Sequence, residues 1–163
     1  MQPGRRPALA RGFTLIEVMI VLIIVAIMAT GINLGLDTVH GRDESRALER
    51  LRRVLEATAE RAMNRGQPLA VELLADGYRF WAQAPDGNWR LLIDPPVFDE
   101  RLLPAGMAWT ALIQTGKSDT ERRLLFGSRP PEYELKIATA RGGASLSGRI
   151  TGEVRLALPG AGT

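Results

Sequence analysis

The sequence predicts an α+β protein in which a long N-terminal helix packs on an antiparallel β-sheet domain. Apolar residues recur at helical spacing up to residue 65, and from residue 69 onward they alternate with polar ones. The change falls at Gly66 and Pro68, a pair typical of a helix C-terminus. The 163-residue chain has no cysteine, which excludes a disulfide framework and a thiolate metal site.

The first predicted element is an apolar run from Phe13 to Leu36, in which Glu17 is the only ionisable side chain. A helix of this length measures about 36 Å, enough to span a hydrocarbon core of ~30 Å. Three arginines and no acidic residue precede the run, whereas Asp37 and Asp43 follow it. The positive-inside rule therefore predicts a cytoplasmic N-terminus, a transmembrane segment over 13–36 and a domain on the far side of the membrane.

Two ordinary alternatives exist for this N-terminus. A secretory signal peptide has an apolar core of about 7–15 residues followed by a small-residue cleavage site. This run is longer, and residues 26–29 make a poor site. A plain membrane anchor fits the length but leaves Glu17 without a role, although a charge inside a bilayer costs roughly a few kcal/mol. A glutamate that snorkels to the headgroups from near the helix end is the remaining structural explanation.

The stretch GFTLIEV, residues 12–18, resembles the class III signal of type IV pilins and type II secretion pseudopilins. In that family a prepilin peptidase cuts after the glycine and methylates the new N-terminus. The resemblance implies that residues 1–12 are a cleaved leader, that cleavage falls between Gly12 and Phe13, and that Phe13 is N-methylated. It also implies that Glu17 pairs with the Phe13 amine of a neighbouring subunit, so that the two buried charges offset each other's desolvation.

Residues 37–66 are predicted to form a linker and an amphipathic helix. Glycines at 31, 35 and 41 interrupt the join and weaken the helix there. Glu56 and Glu60 are expected on the solvated side, near Arg52, Arg53 and Arg61. The predicted apolar stripe comprises Leu48, Leu51, Leu55, Ala59, Ala62 and Met63.

Residues 67–163 are predicted to form the β-domain. A hairpin joins 69–74 to 78–83 through a turn at Asp76-Gly77. Further strands are expected over 89–93, 107–113, 123–126, 133–139 and 152–158, with a glycine-rich turn after residue 139.

The order of these elements narrows the resemblance. A GYRFW strand and the segment LLFGSRPPEYELKI, followed by the glycine-rich turn and GEVRLAL, are similar to the H-type minor pseudopilins (GspH family) of type II secretion. The resemblance implies a pilin-like fold and a non-enzymatic, inner-membrane subunit with a periplasmic domain. Its implied partners are prepilin peptidase and the other pseudopilins of a short filament. One departure is that the apolar helix lacks the proline common in type IV pilins.

A minor pilin of a type IV pilus is the alternative function, and some such pilins bind DNA through basic residues near the C-terminus. Here Glu153 lies between Arg149 and Arg155. The net charge is +3, and the leader alone holds three arginines, so the rest of the chain is neutral. No nucleic-acid partner is therefore expected.

A tethered periplasmic enzyme is the third alternative. The sole histidine, His40, lacks partners at the spacing of a metal or triad site. Asp94 and Asp99 are too few carboxylates for a calcium loop. Trp81, Trp89 and Trp109 are expected to pack in the core or on a sheet face. We therefore expect no catalytic residue, cofactor, metal or small-molecule substrate.

Overall fold

The structure, a computed structural model, describes residues 15–114 and 122–158, and the side chains of 27–41 lie outside the described set. These described residues form one helix and nine strands. Their bounds are α1 Leu15–Arg65, β1 Leu69–Leu73, β2 Gly77–Gln83, β3 Trp89–Leu91, β4 Arg101–Leu102, β5 Ala108–Gln114, β6 Arg123–Phe126, β7 Tyr133–Thr139, β8 Gly142–Gly148 and β9 Val154–Ala157. The chain divides into two compact units, Met1–Val39 and His40–Thr163.

The helix α1 is 51 residues long, and its helical backbone continues through Gly31, Gly35 and Gly41. It ends where the sequence predicts, because Gly66 adopts a left-handed conformation with φ of 60°. Five of the six predicted stripe residues are buried, whereas Met63 is 37% exposed. Val54 and Thr58 are also buried. The buried face of α1 is therefore rotated slightly from the predicted one, because it includes Val54 and Thr58 and excludes Met63.

The first sheet has the strand order β3-β2-β1-β6, and β4 also pairs with β2. The predicted hairpin is present: β1 and β2 run antiparallel, with Leu73 opposite Tyr78. Val71 and Phe80 project from one face of this hairpin into the core. The short β4 was not predicted, because two residues carry no readable periodicity.

The second sheet has the strand order β5-β7-β8-β9, with every pair antiparallel. The prediction of a glycine-rich turn after residue 139 is wrong over most of its length. The turn is confined to two residues, and Gly142–Gly148 form β8, paired along its whole length with β7. Ala144 and Leu146 point inward from β8 and are buried. Tertiary pairing thus overrides the low β-propensity of glycine and serine.

A single hydrophobic core joins α1 to both sheets within the unit His40–Thr163. The largest fully buried side chains come from all three elements: Leu48, Leu51 and Leu55 from α1; Leu69, Phe80, Leu124 and Phe126 from the first sheet; Leu135, Ile137 and Leu146 from the second. Burial of so much apolar surface is the main stabilising contribution to this unit.

Side-chain hydrogen bonds connect the two sheets. The indole of Trp109 on β5 donates to the carbonyl oxygen of Gly77 over 3.1 Å. The amide of Gln114 donates to the carbonyl oxygen of Arg123 over 3.2 Å. These two bonds attach β5, the outer strand of the second sheet, to the first sheet.

Candidate assembly site

Glu17 lies in the first turn of α1 as the structure describes it, and its side chain is exposed within the chain. Gly12 and Phe13, the predicted cleavage and methylation positions, lie outside the described residues. The structure therefore positions one of the three predicted site residues.

The helix around Glu17 has apolar side chains on all sides. From Leu15 to Val25 every large apolar residue is exposed, with relative accessibilities between 48% for Val18 and 79% for Leu15. A helix that is apolar all round belongs in a hydrophobic environment. Within the part of the chain that is described, no helix meets the combined length and apolarity needed to cross a membrane.

The second half of α1 carries a network of charges on its outer side. Arg52 donates to Glu49 over 2.7 Å and to Glu56 over 2.7 Å. Hydrogen bonds from Arg52 and then Arg53 lower the pKa of the Glu49 carboxyl to about 2. The bond to Glu49 raises the pKa of the Arg52 guanidinium. Glu56 lies beside Arg52 as predicted, whereas Arg53 pairs with Glu49, and these i,i+3 and i,i+4 pairs stabilise the helix.

Two glutamates of α1 bind the backbone of the second sheet. Glu44 is only 3% exposed, and its Oε1 accepts the backbone N–H of Ala140 over 2.9 Å. Glu56 Oε1 accepts the backbone N–H of Val154 over 3.2 Å. Both acceptors satisfy amides at the ends of strands, where a ladder partner is missing. Sequence reasoning missed both roles, because the pairs are separated by 96 and 98 positions.

Arg61 was predicted on the solvated side of α1, but its side chain is largely buried. Its guanidinium lies 4.8 Å from the ring centroid of Phe98 and donates to Asp94 over 2.5 Å. Only 16% of its side chain is exposed. Asp94, one of the two carboxylates considered for calcium, is thus paired with an arginine.

Candidate metal ligands do not cluster in the described residues. Across 15–114 and 122–158 there is no group of three or more histidine, cysteine, aspartate or glutamate residues able to hold a metal ion. The side chain of His40 lies outside the described set. Near the C-terminus, Arg155 pairs with Glu153 over 3.1 Å, and Arg149 is exposed. Glu153 thus neutralises one of these two arginines.

The tryptophans lie on sheet faces, as predicted, and Trp109 bonds across the sheets. Trp81 forms a cluster that sequence reasoning did not find: its indole N–H donates to Glu72 over 2.7 Å, and Arg79 and Arg123 stack on its ring. Alternation of polar and apolar residues identified the strands but not which strands are adjacent. The pairing of β1 with β2 and β6 is what brings these residues together.

The long helix packed on antiparallel sheets is a pilin-like fold. Residues 8–33 match the prokaryotic N-terminal methylation motif.

The fold is that of a minor pseudopilin. Two structures of the minor pseudopilin EpsH from the type 2 secretion system of Vibrio cholerae superpose on this chain with TM-scores of 0.58 and 0.59. Sequence identities are 16% and 15%, over 72% and 77% of this chain and 98% and 99% of those chains. No curated protein matches the chain in sequence. The fold expected from the resemblance to H-type minor pseudopilins is confirmed.

Proposed function

We propose that this chain is a minor pseudopilin: a non-enzymatic structural subunit of a type II secretion pseudopilus that helps drive folded proteins across the outer membrane. One observation carries the proposal. The methylation motif at residues 8–33 extends over the first part of α1, and the second half of this helix forms part of the core of an EpsH-like domain. A processing signal and an assembly domain are thereby combined in one chain.

In this proposal residues 1–12 are the leader, removed by prepilin peptidase between Gly12 and Phe13, and Phe13 is then N-methylated. Residues 13–36 anchor the subunit in the inner membrane, with the N-terminus cytoplasmic and the domain periplasmic. The exposed apolar side chains of Leu15 to Val25 support this placement, because a helix that is apolar on all sides is typical of a membrane segment. The other pseudopilins are the proposed assembly partners.

The chemistry of assembly follows from Glu17. Cleavage creates a positive amine at Phe13, and in a helical filament that amine can approach Glu17 of an adjacent subunit. In a low-dielectric environment the pair attracts strongly, whereas either charge alone is costly. Glu17 would therefore set the register between neighbouring subunits.

The test is intact-mass and N-terminal analysis of the membrane form, made in cells that contain a prepilin peptidase. The expected product begins at N-methylated Phe13. Gly12→Val should block cleavage, because a branched side chain then occupies the junction, while membrane insertion continues. Gly4→Val, the same substitution elsewhere in the leader, is the matched control and should be processed normally. A mature chain that begins at any other residue would refute the proposal.

Deletion of the gene distinguishes the secretion role from that of a type IV pilus minor pilin. Loss of secretion of an exported reporter, with piliation intact, is the expected result. Loss of pili with normal secretion would favour the pilus assignment.

A further inference from the structure

The solvent side of the first sheet carries an unusual group of side chains. In the register of β2, β1 and β6, Arg79 lies opposite Glu72, and Glu72 lies opposite Arg123. Trp81 lies opposite Ala70 in the next row. Residues directly opposite in an antiparallel pair project from the same face. These side chains therefore lie on the face opposite the one that enters the core.

Glu72 organises the group. Its Oε2 accepts from Arg79 Nε and from Trp81 Nε1, each over 2.7 Å, and its Oε1 accepts from Arg123 over 3.3 Å. The guanidinium carbons of Arg79 and Arg123 lie 5.1 and 5.5 Å from the Trp81 ring centroid. One carboxylate and one indole thus hold two arginines in fixed positions.

The two arginines keep donors available to solvent. Arg79 uses its Nε on Glu72, and Arg123 uses one terminal nitrogen, so most of their N–H groups make no hydrogen bond to the described residues. Their side chains are 34% and 35% exposed. A third arginine, Arg122, is exposed and lines a cleft with Glu72 and Arg123. Glu100 lies near Arg79 and raises the pKa of its guanidinium after the larger effect of Glu72.

Apolar side chains flank these arginines. Leu91 lies opposite Trp81 on β3, and Leu102 lies opposite Gly77 on β4, which places both on the same face. They are 45% and 68% exposed. Tryptophan and arginine are the residue types most enriched at the centres of protein interfaces. We refer to Arg79, Trp81, Arg123, Leu91 and Leu102 as the Arg–Trp surface.

We propose that the Arg–Trp surface binds an acidic segment of another protein, with carboxylates on the guanidinium groups and an apolar side chain against the leucines. Guanidinium groups bind carboxylates through paired charge-assisted hydrogen bonds. Glu72 fixes both guanidinium groups in advance, which lowers the entropic cost of binding. A nucleic acid fits less well, because its continuous charge would also meet Glu100, whereas a peptide can place carboxylates on the arginines and an apolar side chain against the leucines. The inference rests on the fold and is independent of the N-terminal signal.

The experiment measures binding of a labelled peptide to the full chain in neutral-detergent micelles by fluorescence anisotropy. The probe is a short synthetic peptide with four carboxylates around one phenylalanine, and its counterpart carries lysines in place of the carboxylates. The acidic peptide should bind saturably and the basic one should not.

Arg123→Glu should weaken binding at least about tenfold, since a charge-assisted hydrogen bond is replaced by repulsion. Arg123→Lys keeps the charge but loses the paired donors of the guanidinium group and should weaken binding severalfold, and a circular dichroism spectrum equal to that of the unmodified chain shows that each variant is folded.

Arg149→Glu is the matched control, an equal change of charge at an exposed position outside the Arg–Trp surface, and should alter binding less than about twofold. Equal weakening by Arg149→Glu and Arg123→Glu would overturn the proposal, as would equal binding of the two peptides. Tighter binding of a short DNA duplex, or of phosphatidylglycerol added to the micelles, with the same dependence on Arg123 would assign the surface to a different ligand class and also overturn it.

Discussion

The ring of Tyr133 on β7 lies against the backbone of Gly148 on β8, in the space that a β-carbon at position 148 would occupy. The two residues are directly opposite in the sheet, and both are buried. An aromatic side chain covering a cross-strand glycine is a known stabilising arrangement in sheets. The glycine is therefore required for packing rather than for backbone freedom.

Gly148→Ala should lower the free energy of unfolding by about 1–3 kcal/mol, because the new methyl group displaces the Tyr133 ring from a well-packed core. Gly143→Ala is the control on the same strand, where a β-carbon would meet no atom within 4 Å. It should be close to neutral. Urea unfolding of a chain beginning at Asp37, which retains every residue of the buried core, measures both. Equal destabilisation by the two substitutions would contradict the packing argument.

Glu44→Ala should destabilise the same unit by roughly 1–3 kcal/mol, because the N–H of Ala140 loses its acceptor. Glu44→Gln retains an acceptor oxygen and should cost less. Asp43→Ala removes an exposed carboxylate in a 3.7 Å pair with Arg46 and should change stability by less than about 0.5 kcal/mol. The comparison of urea midpoints for the three variants checks this order, and an equal effect of Glu44→Ala and Asp43→Ala would refute it.

Stability should depend on pH through Glu72. The hydrogen bond from Arg79, followed by those from Trp81 and Arg123, lowers the pKa of its carboxyl below the ordinary value of 4.5. A carboxyl whose pKa is lower in the folded state binds fewer protons there than in the unfolded chain. Its stabilising contribution is therefore complete above the ordinary pKa and disappears as the pH falls through the folded-state pKa.

We expect the urea midpoint to be level near neutral pH and to fall below about pH 4.5. Glu72→Gln should reduce stability at pH 7 and make the acid dependence shallower. The control is Glu132→Gln, at an exposed position, which should leave the slope unchanged. A profile for Glu72→Gln parallel to that of the unmodified chain would show that the carboxylate contributes nothing.

Glu17→Gln and Glu17→Ala should leave insertion, cleavage and folding intact, since removal of a charge favours placement of the helix in lipid. In the proposed assembly the Phe13 amine of a neighbouring subunit then loses its partner, so the defect should appear there. Crosslinking to other pseudopilins should fall severalfold while membrane abundance is maintained. Glu60→Gln, on the exposed part of the same helix, is the control. Undiminished crosslinking in both Glu17 variants would show that the carboxylate has no role in register.

Local patterns in the sequence were sufficient for several elements. Helical periodicity located the buried stripe of α1, and Gly66 marked its end, because both depend on neighbours within one or two turns. Alternation around Asp76-Gly77 predicted the β1–β2 hairpin for the same reason. The motif at residues 12–18 lies within the matched methylation motif, although the cleavage position itself remains a prediction.

Contacts between distant segments decided the rest. Gly142–Gly148 become a strand only because β7 and β9 pair with them on both sides, and no local propensity indicates this. The side chain of Arg61 is largely buried because Phe98 and Asp94 lie beside it. The Arg–Trp surface exists because strand register brings residues of β2, β3, β4 and β6 together around Glu72 of β1. Each of these outcomes depends on burial and pairing free energies that arise only when the chain is folded.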